Sequence, residues 1–470
     1  MDRTETICAV STAKGGAIGI VRVSGSSSIE ICNKVFRPQK GMKHLYDYPD
    51  RRAIYGMVVS PEDDDELIDE VIIIWYRGPH SYTGEDSVEI MCHGSSYILE
   101  KVTSVLISFG SRLARPGEYT QRAFLNGKMD LSQAEAVADL ISSSTAATHR
   151  LALSQMRGGF SRELRILRDK LLHLTSLMEL ELDFSEEDLE FADRKELKQL
   201  SSEIESTISH LVDSFKVGNA LKNGVPVAII GETNVGKSTL LNQLLHEDRA
   251  IVSDIHGTTR DTIEDTINIE GTLFRFIDTA GIRETTDTIE GMGIDRTFQK
   301  IDDSQIVLWV TDATDMQSTF EGTSKQLMPH LGDKTLIVVV NKCDLIDDTD
   351  LYSVFSDLYE HTGINPDETV LVSAKNGTNI SALESKLLDY TNLVSSSEGD
   401  VIVTNLRHVE ALKSALVSLR AARSTMESGY STDLVAEDLR MCLNALGEII
   451  GEVTTDEVLG NIFKHFCVGK

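Results

Sequence analysis

Residues 231–239 read GETNVGKST and lie between an apolar run, VPVAIIG, and a helical segment. A strand, a glycine-rich turn that ends in Gly-Lys-Ser, and a helix form a loop whose backbone N–H groups surround phosphates. In such a loop Lys237 reaches the outer phosphates and Ser238 ligates Mg²⁺. The segment predicts a nucleotide site whose phosphate contacts are Asn234, Val235, Gly236, Lys237, Ser238 and Thr239.

Four further segments follow in the order expected of a GTPase. GTTRD at 257–261 supplies Thr259 for Mg²⁺ and the γ-phosphate, and DTAG at 278–281 supplies a carboxylate and a backbone N–H. In NKCD at 341–344, Asp344 can accept from both N1–H and the 2-amino group of guanine, which adenine lacks. SAK at 373–375 closes the base pocket. We therefore predict GTP as the substrate, bound also by Thr259, Asp278, Thr279, Ala280, Gly281, Asn341, Lys342, Asp344, Ser373, Ala374 and Lys375.

The pattern of strands and prolines predicts the domain order. Residues 224–391 alternate strand-like and helical runs, which is typical of a parallel sheet with crossover helices. No proline occurs between Pro116 and Pro226, or after Pro366, and both stretches are leucine-rich at helical spacing. We predict an α/β multidomain protein: an α+β N-terminal domain (1–120), a helical domain (121–222 and 392–470), and a Ras-like P-loop GTPase domain inserted into it (223–391).

Charge and cysteine usage exclude several classes of protein. The net charge is −29, whereas a broad nucleic-acid-binding surface is normally basic. An RNA role therefore needs a local patch or a partner. The six cysteines contain no C-x-x-C pair, which argues against a disulfide framework or a zinc ribbon. No apolar run is long enough to cross a bilayer and no signal-peptide pattern is visible, so we expect a cytoplasmic protein with no membrane partner.

The segment NIFKHFCVGK at 461–470 combines an amphipathic run with a cysteine and a terminal lysine. Gly451 predicts the end of one helix, and Thr454 with Glu457 predicts the capping box of the next, which would run to about 466. We interpret the segment as docked into a site, with Cys467 and Lys470 just beyond the helix. An inert, buried Cys467 is the alternative.

The residue that orients the attacking water is not obvious. Small GTPases often carry glutamine directly after D-x-x-G, but here that position is Ile282, which cannot hydrogen-bond to water. Glu284 and Glu290 in the following loop are the candidates, and solvated loop acids are the alternative for either one.

Over essentially its whole length the chain resembles the MnmE (TrmE) family of tRNA-modifying GTPases. The similar segments are GIVRVSG, GPHSYTGEDSVEIMCHG, ARPGEYTQRAFLNGKMDLSQAEAVADLI, the GTPase motifs in their spacing, and the terminal F-C-[IV]-G-K. The resemblance implies a homodimeric GTP hydrolase that forms a heterotetramer or larger complex with the FAD-dependent protein MnmG. Together they would act on tRNA, adding an aminomethyl or carboxymethylaminomethyl group to C5 of the wobble uridine from 5-formyl- or methylene-tetrahydrofolate.

The resemblance also implies individual roles. Glu290 would orient the attacking water, which ranks it above Glu284, and Lys237 would complete the catalytic phosphate site. Cys467 would bring a thiol to a folate pocket formed with the N-terminal domain. The implied K⁺ ligands are Asn234, Ser253, Ile255 and Thr258, of which Ser253 and Thr258 also border GTP; the implied folate contacts are Arg22, Glu89, Lys128 and Lys470.

In the implied potassium site, K⁺ would take the place of an arginine finger and stabilise the same developing charge. Thr233 departs from the family's usual proline in the phosphate loop. Because proline would stiffen the loop before Asn234, the departure predicts a somewhat looser potassium site with every ligand type present.

Two alternatives stay open. A GTPase of ribosome assembly would be expected to carry a basic RNA-binding appendage, and none is visible at either end. A non-catalytic switch, whose GTP state only gates partner binding, would show near-zero turnover even with potassium and its partner. We expect gating and hydrolysis to be coupled, with the helical segments transmitting a switch-loop change to the C-terminal tail.

Overall fold

The computed structural model describes residues 5–13, 15–41, 43–183, 194–247, 265–277, 301–314, 327–332, 334–346, 368–394, 401–428, 432–464 and 466–469. The chain divides into two compact units. The first unit is Met1–Ser142, Ala152–Ile204 and Ser414–Lys470, and the second is Ser143–Leu151 and Glu205–Lys413. Within the described ranges, no helix is long and apolar enough to cross a membrane.

Twelve α-helices and two sheets have their bounds within the described residues. The helices are α1 (Ser28–Val35), α2 (Ser96–Ser108), α3 (Glu118–Leu125), α4 (Leu131–Ser142), α5 (Ala146–Met156), α6 (Gly159–Asp183), α7 (Arg194–Asn223), α8 (Lys237–Glu247), α9 (Ile380–Val394), α10 (Leu406–Glu427), α11 (Thr432–Ile450) and α12 (Asp456–Phe463). The strands of the first sheet are β1 (Ile7–Val10), β2 (Ile18–Ser24), β3 (Phe36–Pro38), β4 (Ile54–Ser60), β5 (Glu66–Tyr76), β6 (Ser87–His93) and β7 (Arg112–Leu113).

The first sheet has the strand order β3-β4-β5-β6-β2-β1-β7 and is antiparallel except for the β1–β7 pair. Alternate residues of β2 and β6 are buried, so each strand presents one apolar face. Val21 and Val88 join the core formed with α1 and α2. The register pairs Arg22 with Glu89, and because both lie one residue out of step with the core positions, both side chains project from the opposite face.

Helix packing completes the first unit. Along α6, buried leucines recur at intervals of three and four residues, which gives the helix one continuous apolar face. This face packs against α11. From α12, Leu459 and the last residue, Phe463, pack with Leu131 and Ala134 of α4. Burial of these side chains, at roughly 1.5–3 kcal/mol each, fixes the final helix on the helical domain.

The second sheet consists of β8 (Val225–Ile230), β9 (Asp265–Ile269), β10 (Thr272–Phe276), β11 (Ile306–Asp312), β12 (Thr335–Asn341) and β13 (Thr369–Leu371). Its order is β13-β12-β11-β8-β10-β9, and only the β9–β10 pair is antiparallel. The central strands are nearly continuous apolar runs because both faces are buried. The predicted parallel sheet is therefore confirmed, with α8 following β8 and α9 following β13, and the fold is that of a P-loop GTPase. The domain boundaries at 120, 222 and 391 stay predictions.

The end of the chain differs from its predicted form. Gly451, with φ +86°, follows α11 as expected of a helix terminus. The predicted N-cap at Thr454 is wrong: Thr455 caps α12, its side chain accepting from the Val458 backbone N–H at 3.3 Å. The shift follows from capping geometry, since the cap must lie three residues before the N–H it accepts. The helix ends at Phe463 rather than near 466, because the chain then turns towards Gly117.

Candidate functional site

The phosphate loop lies at the carboxyl end of β8, where parallel strands of one sheet deliver their following loops to the same edge. Gly231 and Gly236 have φ of +148° and +97°, and a Cβ on either would lie 2.2 Å from a neighbouring atom. Glycine is therefore required at both positions. Asn234 also has a left-handed backbone, with φ +66°. The loop thus brings backbone N–H groups close to any bound anion.

Lys237 opens α8 and its ammonium group lies over the loop. It donates to the carbonyl oxygen of Gly231 at 2.7 Å and to that of Glu232 at 2.5 Å. A cation and the N-terminus of an eleven-residue helix therefore face the same loop. This donor set fits a polyphosphate. Ser238, the next residue, supplies a hydroxyl oxygen of the type that ligates Mg²⁺.

Asn341 joins the predicted base pocket to the phosphate loop. At the end of β12, its amide donates to the carbonyl of Val235 at 2.8 Å and accepts from the Ala374 N–H at 2.9 Å. Asn341 is buried, so losing either bond would leave a buried polar group unsatisfied, at about 1–3 kcal/mol. The structure therefore brings together three of the predicted segments: GETNVGKST, NKCD and SAK.

Asp344 and Ser373 face each other across this pocket. The Ser373 hydroxyl donates to Asp344 Oδ1 at 2.6 Å, which orients the carboxylate predicted to read guanine. Lys342 has φ +65° and its ammonium pairs with Asp312 at 2.5 Å. Burial alone would raise the pKa of Asp312, but the bonds from Lys342 and Thr314 outweigh it and lower the pKa. Sequence reasoning missed Asp312, although its place at the end of β11, on the same sheet edge, was a usable signal.

Several predicted site residues lie outside the described residues. They are Ser253, Ile255, Thr258, Thr259, Asp278, Thr279, Ala280, Gly281, Ile282, Glu284, Glu290 and Lys470. The predicted water-orienting glutamates, the Thr259 magnesium ligand and the potassium ligands therefore stay predictions, and so does the role of the described Asn234 as a potassium ligand. In the part of the chain that the structure describes, no group of three or more His, Cys, Asp or Glu side chains could hold a metal ion.

A second site lies in the first unit, around Arg22 on β2. Its guanidinium donates to Glu89 Oε1 through Nε at 3.1 Å and through a terminal nitrogen at 2.8 Å. Two of the predicted folate contacts are thus directly paired. Lys128 is separate from this pair: it donates to the carbonyl of Pro79 at 2.9 Å, on the loop that follows β5.

Two cavities adjoin Arg22. One, of about 200 Å³, is lined by Ser11, Arg22, Tyr82, Val137 and Gly469. The other, of about 210 Å³, is lined by Arg22, Tyr76, Tyr82, Thr83, Ser87 and Glu89. We call them the tail cavity and the Glu89 cavity. Arg22 and Tyr82 line both cavities, and their combined volume lies at the lower end of the range of ordinary ligand pockets, roughly 300–1,000 Å³.

The C-terminal tail borders the tail cavity through Gly469. The Ser11 hydroxyl donates to the Gly469 carbonyl at 3.1 Å, and Val468 pairs with Pro116 in an antiparallel bridge. The Gly117 N–H donates to the carbonyl of Cys467 at 3.4 Å. Together these contacts hold residues 467–469 against the loops that follow β1 and β7. Sequence reasoning missed Ser11 and Gly469, because their contact joins positions 458 residues apart.

Buried ion pairs hold α3 in place. This helix contacts Arg22 and Tyr82, which line both cavities. Glu118 accepts from Arg112 at 2.7 Å and from Arg122 at 3.1 Å. Burial alone would raise the pKa of Glu118, but the bonds from Arg112, the Arg115 N–H and Arg122 outweigh it and lower the pKa to about 2. Arg122 also bonds to Glu85, in the segment between Tyr82 and β6. This network ties α3 to the loop that carries Tyr82.

All six cysteines lie in described residues, and Cys467 is the exposed one. Cys8, Cys32, Cys92 and Cys442 are buried. Burial raises the pKa of Cys92 to about 11 and that of Cys442 to about 12, so neither is a thiolate at neutral pH. Because Cys467 is exposed, the alternative of a buried Cys467 is wrong, and Cys467 lines neither of the two cavities.

Known proteins are similar to this chain in both units. The family model "MnmE helical domain" matches residues 131–467, and "GTP-binding protein TrmE N-terminus" matches residues 6–128. The chain is 57% identical over 466 residues to a tRNA modification GTPase MnmE of Bacteroides fragilis (strain YCH46), covering 99% of each protein. It is 53% identical over 506 residues to the MnmE of Phocaeicola vulgatus, covering 100% of each. A solved structure of an Aquifex aeolicus Era variant bound to GDP and aluminium fluoride is 26% identical over 41% of this chain and 66% of that one, with a TM-score of 0.29.

Proposed function

The chain belongs to the MnmE family of tRNA modification GTPases, and from this premise we propose that it is a potassium-stimulated GTPase that takes part in modifying C5 of the wobble uridine. A GTP hydrolase that acts in tRNA modification needs a guanine site, a phosphate site and a means of coupling GTP hydrolysis to the reaction on the tRNA. We propose that an aminomethyl or carboxymethylaminomethyl group is added, with a one-carbon folate as donor and a flavoprotein of the MnmG type, carrying FAD, as partner.

The observation that carries this proposal is the tail cavity. Gly469 lines a cavity that is also lined by Arg22, itself paired with Glu89, so the tail that carries the exposed Cys467 and a charged pocket belong to one unit. Neither feature is needed for GTP hydrolysis, whose described motifs lie in the second unit. A GTPase that only gated partner binding would have no use for such a pocket. A separate small-molecule step is therefore supported.

In the proposed hydrolysis, Lys237 binds the outer phosphates and Ser238 ligates Mg²⁺. Bound Mg²⁺ and K⁺ supply positive charge that stabilises the charge developing on the phosphates. Asn234, which lies in the phosphate loop with φ +66°, is the described residue that we propose as a K⁺ ligand. We propose Ser253, Ile255 and Thr258 as the other ligands, Thr259 for Mg²⁺, and Glu290 as the group that orients the attacking water.

Guanine specificity follows from the base pocket. Asp344, oriented by Ser373, accepts from the two N–H donors that guanine presents on one edge. Adenine presents no such pair, and the carboxylate would be left unpaired against it. Asn341 holds this pocket and the phosphate loop at a fixed separation, so base and phosphates are bound by one rigid edge of the sheet.

In the proposed folate step, Arg22 and Glu89 bind the donor and the tail covers it. Lys128 and Lys470 are proposed as cations for its carboxylates. We propose that the tail brings the thiol of Cys467 to the folate pocket, and that GTP hydrolysis in the second unit is coupled to this step. A homodimer, a complex with the flavoprotein and a cytoplasmic location, where tRNA substrates lie, belong to the same proposal. Because the chain carries a net charge of −29, we propose that the partner provides most tRNA contacts.

The experiment that tests the proposal is GTP turnover by the purified chain in K⁺ and in Na⁺ at equal ionic strength. We expect K⁺ to stimulate turnover strongly, and Asn234→Ala to remove most of this difference. Equal, slow rates in both salts would contradict the potassium site. If turnover also stayed near zero with the flavoprotein and tRNA present, the non-catalytic switch would be the better description.

A further inference from the structure

A basic segment, residues 157–170, interrupts this acidic chain. It contains five arginine and lysine residues and two acidic ones, whereas the whole chain carries a net charge of −29. The segment begins directly after α5, continues into α6 and belongs to the first unit. The negative charge of the remaining chain already accounts for solubility, so a local excess of positive charge points to an anionic partner.

Three of the five cations are neutralised by carboxylates. The ion pairs are Arg165 with Asp130, Arg168 with Glu452, and Lys170 with Glu203. Arg157 and Arg162 differ from them: both are exposed, and neither forms an ion pair with a carboxylate in the part of the chain that the structure describes. Glu163 directly follows Arg162, but adjacent residues of a helix do not face each other. Two positive charges are therefore left uncompensated.

The two arginines start from one turn of the chain. Gly158, with φ +80°, follows Arg157, and its carbonyl accepts from the Arg162 backbone N–H at 3.0 Å. Arg165 lies one helical turn after Arg162 on the same face of α6, and its side chain is 61% exposed. The first turn of α6 contains no acidic residue. Because these like charges repel one another, a polyanion that bound here would remove an unfavourable interaction.

The turn that carries the arginines is fixed to the start of α4. The Gln133 amide donates to the carbonyl of Met156 at 3.0 Å. The hydroxyls of Ser132 and Ser161 bond to each other at 2.9 Å, and both serines are buried. A turn held in this way keeps its conformation when a ligand binds, so little conformational entropy is lost.

The same stretch of chain connects the arginines to the two cavities. Asn126, seven residues before Gln133, donates to the carbonyl of Thr83 at 2.7 Å, next to Tyr82, which lines both cavities. Seven residues span at most about 25 Å even when fully extended. The turn and the cavities therefore lie close enough for one macromolecular ligand to contact both.

We propose that Arg157 and Arg162 form a phosphate-binding surface for the tRNA backbone. This inference rests on the proposed function and adds the surface through which this chain itself contacts the RNA. Guanidinium groups suit phosphates because their planar N–H donors can bind two oxygens at once. Contacts to phosphates position an RNA without reading its sequence, so the surface acts alike on every tRNA. Two arginines supply a small share of the contacts, which agrees with the larger share proposed for the flavoprotein.

Fluorescence anisotropy tests this surface, with the full chain and a labelled transcript of a tRNA that has uridine at the wobble position. Affinity is measured over a range of KCl concentrations, for the chain alone and with the flavoprotein bound. Arg157→Gln combined with Arg162→Gln should weaken binding by about 10-fold or more. It should also reduce the slope of log affinity against log salt by roughly 1.5, because two phosphate contacts are lost.

Two further variants separate phosphate contacts from net charge. Arg157→Lys combined with Arg162→Lys keeps both cations and should recover most of the affinity and of the salt slope, because lysine also binds phosphate. Lys40→Gln combined with Arg52→Gln is the matched control: it makes the same change in net charge at exposed residues outside the basic segment. The control should stay within about twofold of wild type, because salt screens distant charges. GTP turnover should equal that of wild type throughout, since none of these residues belongs to the nucleotide site.

Each outcome separates this inference from the proposal on which it rests. Wild-type affinity and salt slope in the double glutamine variant would overturn the RNA surface and leave the proposed function standing. Equal losses in the control would also overturn it, because net charge alone would then explain them. Lost binding of the flavoprotein with unchanged tRNA binding would assign the surface to a protein partner instead. A wild-type chain that bound no tRNA, alone or with the flavoprotein, would overturn the surface and the tRNA partner together. If the double glutamine variant lacks a cooperative thermal transition, Arg157→Gln alone replaces it, with about half the change in slope.

Discussion

Gly469→Ala should release the C-terminal tail from the tail cavity. Gly469 has φ +94°, and a Cβ built there would lie 2.2 Å from the Val10 carbonyl oxygen and 3.1 Å from Ser11 Cα. Both neighbours are backbone atoms next to β1, so they cannot move aside as a flexible side chain would. The tail itself must therefore shift by about 1 Å or more to restore an ordinary contact.

The cost of this substitution has three parts. A non-glycine residue in the left-handed region costs roughly 1–2 kcal/mol. The displaced tail loses the Ser11 bond to the Gly469 carbonyl, worth about 0.5–1.5 kcal/mol, and the overlap adds to both. Because the tail can undock instead, the total free-energy cost of Gly469→Ala cannot exceed the free energy of tail docking. A loss of about 2–3 kcal/mol in the free energy of folate binding raises the dissociation constant roughly 30- to 150-fold.

The assay is titration of Gly469→Ala with 5-formyltetrahydrofolate, alongside GTP turnover. We expect weaker folate binding with unchanged turnover, because the described GTPase motifs belong to the other unit. Carboxypeptidase should also release C-terminal residues faster from the variant. Gly460→Ala is the control: nothing lies within 4 Å of its added Cβ, and alanine in a helix should stabilise α12 by up to about 1 kcal/mol. Wild-type folate affinity in Gly469→Ala would falsify the docking argument.

Three further predictions concern the charge network, the base pocket and the thiol. The folded pKa of Glu118, about 2, lies below its ordinary value of 4.5, so its stabilisation is complete above about pH 4.5 and is lost as the pH falls towards 2. Glu118→Gln should lower the free energy of unfolding by about 2–3 kcal/mol at neutral pH and by less at pH 3, as measured by urea titration; a difference independent of pH would contradict this. Asp344→Asn should weaken GTP binding by at least about 100-fold and favour xanthosine triphosphate in competition assays, and retained guanine preference would show that another group reads the base. Cys467→Ser should spare GTP hydrolysis yet reduce tRNA modification in a reconstituted assay with the flavoprotein, whereas the reverse pattern would assign the thiol to the GTPase reaction.

The nucleotide site could be predicted from sequence because its parts are local. A phosphate loop needs glycine at positions of positive φ and a lysine at the start of the next helix, and these requirements appear within nine consecutive residues at 231–239. The segments of the base pocket come together by a simple rule, since the ends of parallel strands share one edge. Asn341 could therefore be placed in this pocket without a structure, although its two bridging bonds could not.

The folate pocket depended on resemblance, and only the tertiary structure decided its geometry. Arg22 meets Glu89 because β2 and β6 pair in one register, and a shift of one residue would put them on opposite faces. Tyr82 lies within a segment that the resemblance had already singled out, but nothing in the alternation of its neighbours showed that its ring would line two cavities.

The sequence by itself determined that this chain binds a nucleotide, that a parallel sheet carries the site and that an amphipathic helix precedes the terminal cysteine. These follow from spacing over a few residues, where backbone geometry and side-chain chemistry are sufficient. Only the tertiary structure decided that Cys467 is exposed and that Gly469 lies against Ser11. Contacts between residues so distant along the chain are set by sheet register and helix packing, which no local pattern encodes.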